Sequence, residues 1–158
     1  VGTDRLADDS GYFRAKLAQE ELIAAGPIPY TIVRATQFFE FLNSIADTAT
    51  VGDTIRVPPS PIRPMASADV AEAVAIAAVN NPLNGISEIG GPEEFTIDEV
   101  LRTALTARGD HRVVITDPAA RYWGVDVSEG TLVPGSGAAL FDIRLADWIL
   151  ETAAKPQR

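Results

Sequence analysis

The sequence predicts an α/β fold with parallel strand pairing, and three observations carry that expectation. Short runs rich in β-branched residues recur along the chain, as at Tyr30-Thr31-Ile32-Val33-Arg34 and Ile86-Ser87-Glu88-Ile89. Helical patterns of ten residues or more stand between such runs, long enough to carry the chain back so that consecutive strands point the same way. Gly and Pro punctuate the boundaries, at Gly26-Pro27, Pro58-Pro59 and Gly90-Gly91-Pro92.

Taken in order, Ser10 can cap a helix running to about Ala25, with Phe13, Leu17, Leu22 and Ile23 near one side. Tyr30 to Arg34 reads as a buried strand. Phe38, Phe39, Phe41, Leu42 and Ile45 form an apolar helical face that ends before Gly52. Ile55 to Val57 and Ile62 to Met65 are short extended pieces. Ala68 to Val79 is an Ala-rich helix that Ser67 or Asp69 caps. Ile86 to Ile89 is a further strand. Thr96 starts a helix through Leu105, and Glu99 three residues on completes a capping-box pattern. His111 to Thr116 alternates as a strand does, Ser128 to Gly137 is a surface loop, and Leu145 to Thr152 is a last helix.

Composition bounds what such a fold does. The 158 residues suffice for one domain with a sizeable core, and 46% apolar with 22% charged residues is ordinary globular usage. A formal charge of −9 with no Lys/Arg cluster argues against nucleic acid, because displacing counterions from a phosphate backbone needs clustered cations. No Cys and one His leave no disulfide framework and little for metal ligation, so no metal site is expected. The longest apolar run, Val70 to Val79, is too short to cross a bilayer. The expectation is a cytoplasmic protein with a small-molecule partner.

Tyr12 and Lys16 stand four residues apart on the first helix and so share a face. A phenol exchanges protons near neutrality only where a cation stabilises the phenolate, and an ammonium one turn away supplies that. The same spacing also arises from a half-buried aromatic beside a solvated Lys. Asp69 reads first as a helix cap, Arg34 and Arg63 as structural ion-pair residues, and His111 as an exposed loop residue. Trp123 and Trp148 read as plugs of the core or an interface, and Asp4, Asp8 and Asp9 as a solvated acidic loop.

The neighbourhood of that pair carries a resemblance. Gly11-Tyr12-Phe13-Arg14-Ala15-Lys16, continuing to Pro29-Tyr30-Thr31-Ile32-Val33-Arg34, resembles the NmrA-like, atypical branch of the short-chain dehydrogenase family. Arg34-Ala35-Thr36-Gln37-Phe38, Arg63-Pro64-Met65-Ala66-Ser67-Ala68-Asp69-Val70-Ala71, and Ile89-Gly90-Gly91-Pro92 followed by Thr96 to Val100 continue it in family order. The resemblance implies the C-terminal part of a doubly wound, Rossmann-like parallel sheet. Residues 1–158 would form a single partial domain whose 118–158 stretch is a peripheral, substrate-side segment.

It further implies an NAD(P)(H) cofactor. Lys16 would hydrogen-bond the nicotinamide ribose and Tyr12 would be the acid/base. Thr3 would stand in for the usual hydroxyl partner at the end of the preceding strand, and Ala35, Thr36, Gln37 and Phe38 would face cofactor and substrate. No strand, Gly-rich turn and helix of the dinucleotide fingerprint occurs in the chain. The expectation is therefore that the N-terminal dinucleotide-binding half is absent, either removed or present elsewhere, or that the chain self-associates. Three functions follow: hydride transfer to or from a small carbonyl or quinone, non-catalytic NAD(P) sensing, or an inactive fragment.

Overall fold

The computed structural model describes residues 1–153. The elements run α1 (Gly11–Ala24), β1 (Thr31–Ala35), a 3-10 turn (Phe39–Phe41), α2 (Leu42–Thr48), β2 (Thr50–Val51), β3 (Thr54–Val57), β4 (Pro61–Ile62) and α3 (Ser67–Val79). They continue through β5 (Gly85–Gly90), β6 (Phe95–Thr96), α4 (Ile97–Ala107), β7 (Val113–Thr116), β8 (Ala139–Leu140) and α5 (Leu145–Ala153).

The parallel α/β expectation is met in two of the sheets. β1 and β5 pair in parallel from Thr31 against Gly85 to Ala35 against Ile89, and β8 adds in parallel to the far edge of β5 at Ile89 and Gly90. A second small sheet pairs β3 in parallel with β7, with β2 antiparallel on the other edge of β3. β4 and β6 form an antiparallel pair. The long connection holding α3 is what makes β1 and β5 parallel.

α4 is the best-organised helix. Ile97, Val100, Leu101, Ala104 and Leu105 recur at helical spacing and are all buried, facing Leu42, Ile45 and Ala46 of α2 and Ile55 and Val57 of β3. Side chains of this kind stabilise by about 1.5–3 kcal/mol each on full burial. The Glu99 carboxylate accepts the Thr96 N–H at 2.9 Å and completes the expected capping box. A second, smaller core of Met65, Ala73 and Ile89 lies between α3 and the β1–β5 sheet, with Val33, Ala35, Phe38 and Phe141 packed around it.

Several expectations are corrected. Ser10 occupies the N-cap of α1 without a side-chain hydrogen bond, and α1 buries no residue fully. Phe13 packs against the core, whereas Leu22 is 77% and Tyr12 66% exposed. Neither Ser67 nor Asp69 caps α3, whose N-cap is Ala66. The Glu40 carboxylate does that work from outside the helix, accepting the Ser67 N–H and hydroxyl. β1 is only half-buried, because the described strands pair with it on one edge. The residues after Val1-Gly2 form turns, with the Leu6 N–H donating to the Gly2 carbonyl at 3.0 Å. Within 118–158, expected at the periphery, Tyr122, Val125, Leu132 and Leu145 enter the main core and β8 joins the sheet; residues 154–158 of that stretch lie outside the described residues.

Candidate functional site

The carboxyl ends of β1 and β5 converge on one small region. Ala35 closes β1, and the chain then leaves through Thr36, Gln37 and Phe38. The buried Thr36 is held twice: its N–H donates to the Ile89 carbonyl at 3.1 Å and its hydroxyl to the Arg63 carbonyl at 2.6 Å. Gln37 and Phe39 exchange backbone hydrogen bonds with Met65 at 2.9 Å each, so the stretch from 36 to 39 is pinned along Arg63–Met65. Phe38 is half-buried and stacks at 5.6 Å on Phe41.

Gly91 makes this convergence possible. A Cβ placed there would lie 1.9 Å from the Pro64 carbonyl oxygen, so only glycine lets the turn after β5 close on the Pro64–Met65 backbone. Gly90 abuts Thr36 and Pro134 almost as tightly, at 3.3 and 3.2 Å from its notional Cβ. The Gln37 carboxamide oxygen is buried here without a hydrogen-bond partner among the described residues. A buried acceptor left without a partner costs free energy, and the Asp98 Oδ1 in the main core is left so as well.

The N-terminal turn is brought to the same strand end. The Val1 nitrogen donates to the Ala35 carbonyl at 2.6 Å, and Thr3, two residues on, is buried. Gly2, at φ +81°, stands where a Cβ would meet the Thr131 carbonyl at 2.7 Å. Arg5 donates to the Gly130, Thr131 and Val133 carbonyls, which ties residues 1–10 to the loop between 128 and 137.

The helix pair is placed differently. Tyr12 is largely solvent-exposed, with its ring edge-on to Phe13 at 5.3 Å. The exposed Lys16 ammonium donates to the Gln19 side chain at 3.0 Å. No hydrogen bond joins either to Thr3 or to residues 35–38 among the described residues. What fixes α1 to the sheet is Arg34, which donates to the Glu20 carboxylate at 2.5–3.1 Å and to Asp4 at 3.0 Å. The hydrogen bond to Glu20 raises the pKa of this buried guanidinium further above its ordinary value. Sequence reasoning placed Arg34 in an ion pair but missed Glu20 and Asp4. Arg34 lies 14 residues from one and 30 from the other, separations that no local pattern encodes.

The other polar candidates take structural places. Arg63 pairs with Glu94 at 3.4 Å, Trp148 packs on Phe39 and donates its indole N–H to Glu40, and His111 is exposed before β7. Trp123 is half-exposed at φ 51° beside the buried Tyr122, whose pKa burial pushes up to about 12. Asp8 and Asp9 are solvated, whereas Asp4 serves Arg34. Among the described residues no cluster of His, Cys, Asp or Glu is placed to hold a metal, and no helix is long and apolar enough to cross a membrane.

No protein-family model and no curated protein matches the chain. Among solved structures it is similar to UDP-glucose 4-epimerase from Thermus thermophilus in complex with NAD, at 18% identity and a TM-score of 0.43, over 77% of this chain. It spans 44% of that structure's length.

Proposed function

We propose that this chain forms the substrate side of an NAD(P)-dependent oxidoreductase that transfers hydride to or from a small carbonyl or quinone. The carrying observation is the buried, unpartnered Gln37 carboxamide oxygen at the carboxyl end of the parallel β1–β5 pair. Ligands of open parallel sheets bind beyond the carboxyl ends of the strands. The ordered motifs from Gly11 to Val100 support the same reading.

A carboxamide is the group such a site fits. Gln37 offers an acceptor to an N–H such as that of the nicotinamide amide, Lys16 is assigned to the ribose hydroxyls, and Thr3 to the hydroxyl partner beside the acid/base. When bound, the cofactor supplies the hydride. The chain's own part is to orient it: Arg34 holds α1 against β1, Thr36 fixes the turn, and Tyr12 is assigned the proton of the substrate oxygen. The sequence has no Gly-rich phosphate-binding turn, so this reading leaves the pyrophosphate to other polypeptide.

The second reading is an NAD(P) sensor without turnover, and the exposure of the Tyr12 ring favours it. Titration of NADH and NADPH followed by nicotinamide fluorescence tests binding, and loss of the reduced-nicotinamide absorbance across quinones and aldehydes tests chemistry. Lys16→Ala is expected to weaken cofactor binding about tenfold, roughly the loss of one charged hydrogen bond, while Tyr12→Phe leaves it within twofold. Unchanged affinity in Lys16→Ala overturns the assignment of Lys16. Binding without turnover selects the sensor.

A further inference from the structure

The loop that returns α3 to β5 ends in Asn84-Gly85, the only Asn-Gly pair in the chain. Asn84 is exposed and lies in the left-handed region at φ 49°, a backbone that Asn adopts more readily than most residues, and Gly85 opens β5. Three hydrogen bonds tie this corner to the start of β1. The Leu83 N–H donates to the Thr31 hydroxyl at 3.0 Å, the Asn84 N–H to the Tyr30 carbonyl at 2.7 Å, and the Tyr30 N–H to the Asn84 carboxamide oxygen at 3.3 Å. The corner lies at the amino ends of β1 and β5, the opposite end from Thr36 and Gln37.

The reactivity of the pair follows from its surroundings. Asn is a chemically labile residue, because the next backbone nitrogen can close a five-membered ring on its carboxamide carbon. A glycine in the next position leaves that nitrogen unshielded. The nearest atom to a Cβ placed on Gly85 is the Leu83 carbonyl oxygen at 3.7 Å, so the space beside it is open. The Tyr30 N–H polarises the Asn84 carboxamide and favours the negative charge that attack puts on its oxygen. Asn84 is exposed, so water reaches it. The three other asparagines lack this combination. Asn43 precedes Ser44 and Asn80 precedes Asn81, each with a side chain on the attacking residue, and Asn81 precedes Pro82, whose nitrogen carries no proton.

We propose that Asn84-Gly85 is a site of spontaneous deamidation and isomerisation in the folded chain, independent of the cofactor reading above. The Gly85 nitrogen gives its proton to solvent base and bonds to the Asn84 Cγ. The bond from Cγ to the side-chain nitrogen breaks, ammonia leaves, and one water opens the resulting succinimide. Opening at the side-chain carbonyl gives aspartate, whose carboxylate keeps an acceptor for the Tyr30 N–H. Opening at the backbone carbonyl gives isoaspartate, in which the main chain runs through Cβ and Cγ and is one carbon longer. The corner that sets Gly85 opposite Thr31 then falls out of step, because the oxygen that held Tyr30 has become part of the main chain.

The folded 158-residue chain is incubated at neutral and mildly alkaline pH and followed by intact mass, peptide mapping and isoaspartate detection. The mass gain of an amide turned to an acid is expected, confined to the peptide that holds Asn84, with aspartate and isoaspartate both present. Conversion is faster in alkali, because the attacking nitrogen must lose its proton. Gly85→Ala, which the open space beside Gly85 accommodates, is expected to slow conversion by about tenfold or more and leave the thermal midpoint near the parent's. Asn84→Asp is expected to melt near the parent, and the separated isoaspartate form below both. An unmodified chain, conversion only after urea has unfolded it, modification at Asn43, Asn80 or Asn81 instead, or an unchanged rate in folded Gly85→Ala each overturns the proposal.

Discussion

Gly91 shows how one residue decides whether the strand ends can meet. Because its notional Cβ falls on the Pro64 carbonyl, Gly91→Ala must push apart the turn that seats Thr36 and Gln37. The expected loss is about 3 kcal/mol or more, with the large effects of backbone clash, read by urea unfolding. Gly52 is the internal control. Its φ of +62° disfavours a side chain, but nothing lies within 4 Å, so Gly52→Ala is expected to cost only about 1 kcal/mol. Equal losses in the two variants would mean that the Gly91 contact does not matter. Asp98 works by another route. Burial raises its pKa, but hydrogen bonds from Thr116, Thr96 and Arg102 outweigh this and hold it down at about 2.

α4 carries its own capping box, whereas α3 and α5 are fastened by side chains from elsewhere. Glu40 binds the first residue of α3 through the Ser67 N–H and hydroxyl, and also takes the indole N–H of Trp148 on α5. Glu93 accepts the Leu145 N–H at 3.1 Å at the start of α5, and Asp69 accepts the Ile143 N–H just before it. Carboxylates suit helix N-termini, where unpaired N–H groups concentrate. Glu40→Ala is therefore expected to cost about 1–2 kcal/mol, more than an ordinary cap, because two helices lose their anchor together. Hydrogen exchange checks this: amides at the start of α3 and along α5 should both lose protection, and loss confined to α3 would refute the shared role.

At the scale of the whole molecule, the two buried aspartates set opposite pH dependences. Asp98 has a depressed pKa, so its contribution is present above the ordinary carboxylate value of 3.8 and is lost as pH falls through about 2. That contribution is on the order of 2 kcal/mol. Asp69 runs the other way. Burial raises its pKa, despite the Ile143 N–H, so its contribution is full below the ordinary value and falls as pH rises through the raised one. Thermal midpoints measured from pH 2 to 7 should show Asp98→Asn less stable than the parent near neutrality and converging with it in acid. Asp69→Asn should match or exceed the parent near neutrality, since the amide keeps an acceptor for Ile143 without a buried charge. A parallel curve for either variant would remove that aspartate from the account.

The sequence by itself determined the helices and strands whose residues carry their own pattern. α4 was legible because five apolar positions at helical spacing and a Thr96–Glu99 capping box sit within one short stretch, and parallel pairing followed from the lengths between strands. The turn at Ala35 to Phe38 was singled out through the resemblance its motif carries, not through any local pattern. Only the tertiary structure decided how α1 is used: its apolar residues stay half-exposed and Arg34 reaches Glu20 and Asp4 instead. Tertiary structure also decided that Glu40 rather than Ser67 or Asp69 caps α3, and that Gln37 is left with an unmet buried oxygen. The physical reason is the same in each case. Periodicity and caps are interactions within a few residues, whereas ion pairing and unmet hydrogen bonds depend on which distant residues the packed chain brings face to face.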